Sequence, residues 1–81
     1  MGKWDKFRAT LMEGRSDNNL RFSDVTTYLK RLGFEERIEG SHHSFRMEGI
    51  PLILVMQPQS DGKAKAYQVK QVRAVINDFG L

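Results

Sequence analysis

Apolar residues recur along the first part of the chain at the three-to-four spacing of a helix. Trp4, Phe7 and Leu11 share one face of a helix over Lys3–Glu13, while Lys6, Arg8 and Glu13 point away from it. Gly14 is a natural stop, and Gly14-Arg15-Ser16-Asp17-Asn18-Asn19 is rich in turn formers, which predicts an exposed loop. A second helix is predicted from Ser23, a good N-cap, with Asp24 in its first turn and Val25, Tyr28, Leu29 and Leu32 as its buried stripe. Lys30 and Arg31 suit the last turn, and Gly33 is placed to take the left-handed position that ends it. Beyond Gly33 the period falls to two, which predicts strands. Phe34, Glu36 and Ile38 share one side of the first strand, opposite Glu35, Arg37 and Glu39.

Gly40-Ser41 supplies the turn into a second strand, where His43, Phe45 and Met47 alternate with His42, Ser44 and Arg46. The two adjacent histidines therefore face opposite sides of the sheet. After the turn Glu48-Gly49-Ile50-Pro51, the apolar run Leu52-Ile53-Leu54-Val55-Met56 predicts a third strand buried on much of both faces. Pro58-Gln59-Ser60-Asp61-Gly62 breaks it. A final helix over residues 67–79 turns Val69, Val72, Ile76 and Phe79 inward and Lys70, Arg73 and Asn77 towards solvent. The predicted class is α+β, in the order α-α-β-β-β-α, with helices over one face of a three-stranded antiparallel sheet. His42, Ser44 and Arg46 belong to the face left open.

Composition narrows the chemistry. The 81 residues suit one small domain, and the absence of cysteine excludes disulfides and thiolate metal sites. Two histidines on opposite faces cannot jointly hold an ion, so neither a metal site nor a cofactor is expected. No apolar stretch approaches the roughly 20 residues that span a bilayer, and Met1-Gly2-Lys3-Trp4-Asp5 lacks the apolar region of a secretory signal. The expected location is the cytoplasm, with no membrane partner.

The net charge of +3 is modest, but its placement is uneven. Nine basic and nine acidic residues balance up to Gly62; the last 19 residues then hold Lys63, Lys65, Lys70 and Arg73 against Asp78. Gly62-Lys63-Ala64-Lys65 leads into a helix N-terminus, where free N–H groups, the helix dipole and two ammonium groups suit a phosphate. Gly40-Ser41-His42-His43-Ser44-Phe45 places an imidazole, the side chain best suited to proton transfer near neutral pH, at the start of a strand and facing solvent. For His43, on the Phe45 side, packing at the core edge and bonding to a neighbour is the expectation.

Together, the Gly40–Phe45 hexapeptide, the apolar strand after it, and Gly62-Lys63-Ala64-Lys65 leading to Tyr67-Gln68-Val69-Lys70-Gln71-Val72-Arg73 resemble the HicA (YcfA-like) toxins of type II toxin-antitoxin systems. The resemblance covers about residues 22–80, so residues 1–21 read as an extension and residues 22–81 as the HicA-like domain. It implies a fold like the double-stranded RNA-binding domain, mRNA interferase activity and neutralisation by a HicB-type antitoxin protein, with no DNA bound by the toxin itself. The family's catalytic histidine directly follows Gly-Ser, which here is His42. The expected mechanism is metal-independent cleavage in which neutral His42 accepts the proton of a ribose 2′-hydroxyl. Lys63 and Lys65 offset phosphorane charge, Lys70, Arg73 and Arg46 guide the RNA backbone, and Ser41 shapes the turn. The rival readings are a non-catalytic RNA-binding module of the same fold and a protein-interaction module.

Overall fold

A computed structural model describes residues 2–81, which form three helices and one three-stranded antiparallel sheet. In chain order these are α1 (Lys3–Glu13), α2 (Phe22–Leu32), β1 (Glu35–Glu39), β2 (His42–Arg46), β3 (Leu54–Met56) and α3 (Ala66–Phe79). The α+β class and the α-α-β-β-β-α order therefore hold. The strands lie in the order β1-β2-β3, with Glu39 opposite His42 and Glu36 opposite Phe45, so Gly40 and Ser41 alone make the hairpin. Gly40 supplies the positive φ that so short a loop requires.

The helices cover one face of the sheet and leave the other open. Phe45, Leu54 and Met56 point into a single core with Val25 and Leu29 of α2 and with Val69, Val72 and Ile76 of α3. α1 adds Phe7 and Leu11 to the same core, and its Trp4 ring stacks on Tyr28 of α2.

Several local expectations give way to tertiary contacts. α2 starts at Phe22 with Arg21 as its cap residue, two residues before the expected cap Ser23 and without a side-chain cap. The Phe22 N–H donates to Gly62 O and the Ala64 N–H to Leu20 O, so a short backbone pairing with the chain ahead of α3 fixes this start instead. β3 is confined to three residues, and Val55 and Ile53 are about half exposed, at 49% and 50%. No helix lies over the outer face of this edge strand, and Pro51 has no N–H to extend its ladder, so burial on both faces does not occur.

Ile38 is exposed although it shares the helix side of β1 with Glu36, because it lies at the end of the strand. On α3 the buried positions are Gln68, Val69, Val72, Val75 and Ile76, while Phe79, expected to turn inward, is exposed at the last residue of the helix.

Two arginines expected on solvent faces turn inward. Arg8 donates to Tyr28 Oη and to Leu81 O, both at 2.8 Å, tying α1 to α2 and to the end of α3. Arg73 grips Asp17 with two nitrogens at 2.9 Å each and also donates to Leu11 O at 3.0 Å. It thereby satisfies one of the carbonyls that α1 leaves open at its C-terminus.

Candidate functional site

His42 is the first residue of β2 and is exposed on the open face. The neighbouring Ser41 accepts a hydrogen bond at 2.9 Å from the side-chain amide of Gln57, which directly follows β3. The Gln57 N–H in turn donates to Gln68 Oε1, on a buried side chain in the first turn of α3. The Gln68 amide reaches Tyr67 Oη. This chain of polar contacts joins the Gly-Ser-His step to the start of α3.

Lys65 is the cap residue of α3, which opens without a side-chain cap and without an acid in its first turn. Its positive end is therefore unneutralised by its own residues. Lys63 lies two residues earlier, in the backbone bridge to Arg21, and its ammonium reaches Asn19 Oδ1 at 3.4 Å. The hairpin that carries Ser41 and His42 is thus linked through Gln57 and Gln68 to the start of α3, which Lys63 and Lys65 precede, and exposed Lys70 lies further along that helix.

Two other candidates lie elsewhere. Arg46 shares the open face with His42 but stands four residues down the strand, about 13 Å away at the usual rise. There it borders a cavity of about 720 Å³ lined also by Glu35, Glu48, Ile50 and Ile53. Arg73 was expected to extend the cationic strip, but its guanidinium is spent on Asp17 and Leu11 O. Its hydrogen bonds to Asp17 hold that carboxyl below the usual carboxylate range against the opposing effect of burial.

His43 behaves as its inward position suggested. Its Nδ1 is 2.8 Å from Glu36 Oε2, and its ring packs edge-on against Phe22 at 4.9 Å between centroids. Lys30 holds the other Glu36 oxygen at 3.3 Å. Burial raises the Glu36 pKa, but hydrogen bonds from His43 and Lys30 outweigh it and keep the carboxyl below its ordinary value. Gln57, Gln68 and Glu36 were not singled out in the sequence. For Glu36 a signal existed: a carboxylate on the helix side of a strand requires a partner.

Among the described residues no group of three or more potential ligands could hold a metal ion, and no helix is long and apolar enough to cross a membrane.

The described residues thus define a small α+β domain in which hydrogen bonds link a histidine-bearing hairpin to a lysine-led helix start. A family model described as HicA toxin of bacterial toxin-antitoxin matches residues 22–81. The chain belongs to the HicA toxin family, and so to the toxins of toxin-antitoxin systems, which are paired with an antitoxin. No curated protein and no solved structure was found to match it.

Proposed function

We propose that this toxin is a metal-independent endoribonuclease that cleaves mRNA and so inhibits translation. One observation supports the reading: an exposed imidazole, His42, begins β2 beside Ser41, which hydrogen bonds through Gln57 and Gln68 link to the uncapped start of α3. Neutral His42 accepts the 2′-hydroxyl proton, and the freed oxygen attacks the adjacent phosphorus. The Lys65 and Lys63 ammonium groups and the positive end of α3 offset the charge that grows on the phosphorane. Lys70 and, further along the open face, Arg46 guide the RNA backbone through phosphate contacts. Ser41, fastened by Gln57, holds the turn that aims the imidazole. Arg73 serves the site only through the fold, by fixing α3 against the α1–α2 loop.

In this reading residues 22–81 are the family's domain, with a fold like the double-stranded RNA-binding domain, and residues 1–21 are an addition to it. The partner is a HicB-type antitoxin and the place of action is the cytoplasm. The test is incubation of the purified protein and of its His42→Ala variant with labelled mRNA, with and without EDTA. Wild type should give fragments in both conditions, and the variant should give none while keeping the wild-type circular dichroism spectrum. Fragments from His42→Ala overturn the assignment of the base, loss of wild-type cleavage in EDTA overturns metal independence, and a mobility shift without fragments replaces the nuclease by an RNA-binding module.

A further inference from the structure

One exposed aromatic side chain has no part in the mechanism above. Tyr67 is 58% exposed, more than any other large apolar side chain among the described residues, although it lies in the first turn of α3. Packing does not require it there, and helix propensity gives no reason for a tyrosine at a solvent-facing position. Its surroundings are those of the candidate site. Lys65 stands two residues before it, and exposed Lys70 three residues after it, on the same face of the helix. The Tyr67 hydroxyl accepts a hydrogen bond from the Gln68 amide at 3.4 Å. Gln68 Oε1 accepts from the Gln57 N–H at 3.3 Å, and the Gln57 amide donates to Ser41 Oγ at 2.9 Å. Only two side chains, Gln68 and Gln57, thus separate the hydroxyl of Tyr67 from that of Ser41, the residue before His42. Gln68 is itself buried, so the Tyr67 hydroxyl is held at a fixed point while more than half of the residue stays in water.

A lone exposed aromatic side chain is ordinary on a protein surface. One that is hydrogen-bonded into the link between the histidine hairpin and the lysine-led helix start has a place in the site. We propose that Tyr67 is a base-stacking residue of the RNA site, and that the substrate this site takes is an unpaired stretch of mRNA. The inference rests on the ribonuclease reading and adds to it what phosphate contacts leave open, the strandedness of the substrate. An aromatic ring gains from a nucleobase only where the base offers its own face, and in a duplex the neighbouring pairs cover both faces. Binders of single strands combine cations that follow the backbone with aromatic rings on which bases stack. Lys65 and Lys70 flank Tyr67 in that manner. Every base has a π-face, so the contact selects unpaired RNA without selecting a sequence. A ring tethered by its hydroxyl also has little freedom left to lose on binding.

The probe is an oligonucleotide of about 12 unpaired nucleotides, within the site sizes of single-strand binders. It carries 2′-O-methyl riboses throughout, so it has no 2′-hydroxyl to attack phosphorus and is bound without being cut. Fluorescence anisotropy compares wild type, Tyr67→Ala and Tyr67→Phe on this probe and on the same strand annealed to its complement. Tyr67→Ala should bind the unpaired probe between about 5-fold and 150-fold more weakly than wild type, the worth of one stacked base, and should bind the duplex as wild type does. Tyr67→Phe, which keeps the ring and loses the hydroxyl, should stay close to wild type. The slope of log K against log salt should be the same in all three, because no phosphate contact is removed.

Unchanged binding of the unpaired probe by Tyr67→Ala overturns the proposal and leaves the ring to a protein partner. Equal losses on probe and duplex, a fall in the salt slope, or a loss in Tyr67→Phe as large as in Tyr67→Ala overturn it as well, since the residue then acts through Gln68 and the placement of α3. In each of these cases fragments from ordinary mRNA with wild type keep the ribonuclease reading standing. A wild type that neither binds the probe nor cuts mRNA takes down both.

Discussion

Asp17→Ala removes the carboxylate that Arg73 grips and leaves a guanidinium without its counter-charge between α1, α3 and the connecting loop. The Arg73 and Asp17 side chains keep 19% and 10% of their exposure, so the pair is closer to a buried bridge than to a surface one. Breaking a buried pair by removing one partner costs about 3–5 kcal/mol. Water can reach the stranded guanidinium in part, and Leu11 O remains as an acceptor, which places the cost at the lower end, about 3 kcal/mol. For a domain of this size that corresponds to a fall in melting temperature of roughly 12–24 °C.

Urea and thermal unfolding at pH 7 measure the loss, read by far-ultraviolet circular dichroism and by Trp4, the single tryptophan, which sits on α1. The advantage of wild type over the variant should also depend on pH. The hydrogen bonds from Arg73 depress the folded pKa of Asp17, so the stabilisation is complete above the unfolded value, near about 4. It disappears as pH falls through the folded value. A loss below about 1 kcal/mol, the range of an exposed pair such as Lys3–Asp24, would refute the view of Arg73 as a structural clamp.

Gly14→Ala should cost about 1–2 kcal/mol from the left-handed backbone alone, at φ +82°. It should cost more because the new Cβ lies 3.3 Å from Arg73 Cζ; unchanged urea unfolding would contradict this. Glu36→Gln should flatten the acid limb of the stability curve. The native carboxyl sits below its ordinary value, so its contribution is present above the unfolded pKa and lost as pH falls through the folded one. Identical acid unfolding curves for wild type and variant would count against the Glu36 network. Replacing Lys63 and Lys65 together by Ala should weaken RNA binding most at low salt and lower the slope of log K against log salt by about 1.4. A slope unchanged in filter binding would remove both lysines from the RNA interface.

Patterns that depend on near neighbours were legible in the sequence, and those set by distant contacts were not. Gly33 ends α2 as its position suggests: at φ +112° its N–H returns to Leu29 O and Lys30 O, a local geometry that needs no tertiary partner. The alternation around Phe45 likewise put His42 and His43 on opposite faces, because one buried aromatic side chain fixes the phase of a whole strand. The apolar run at residues 52–56 misled for the opposite reason. Hydrophobicity reports that a strand is welcome in a core, but exposure of its outer face depends on where it lies in the sheet, and β3 is an edge. Arg73 misled because its helical position indicates a direction, whereas an aspartate in a loop 56 residues earlier determines where its guanidinium goes. At the candidate site the histidines and lysines could be named in advance. Gln57 and Gln68, which link Ser41 to the start of α3, are informative only once β3 and α3 are side by side.

The extension before residue 22 follows the same logic. The family model begins at Phe22, yet the core does not, since Leu11 is fully buried and Phe7 and Leu20 nearly so. Burying side chains of this kind contributes about 1.5–3 kcal/mol each, a large share of the roughly 5–15 kcal/mol that holds a small domain together. Polar links reinforce that attachment: Arg8 reaches both Tyr28 and the carbonyl of Leu81, and Arg73 reaches back to Leu11 and Asp17. α3 is thus tied to the first 21 residues at its middle through Arg73 and just beyond its C-terminal end through Leu81. Ahead of α3, Lys63 belongs to the bridge that pairs with Arg21, and its ammonium reaches Asn19 in the loop after α1. The first helix therefore packs against the body of α3, and the loop after it holds the chain ahead of the lysine-led helix start.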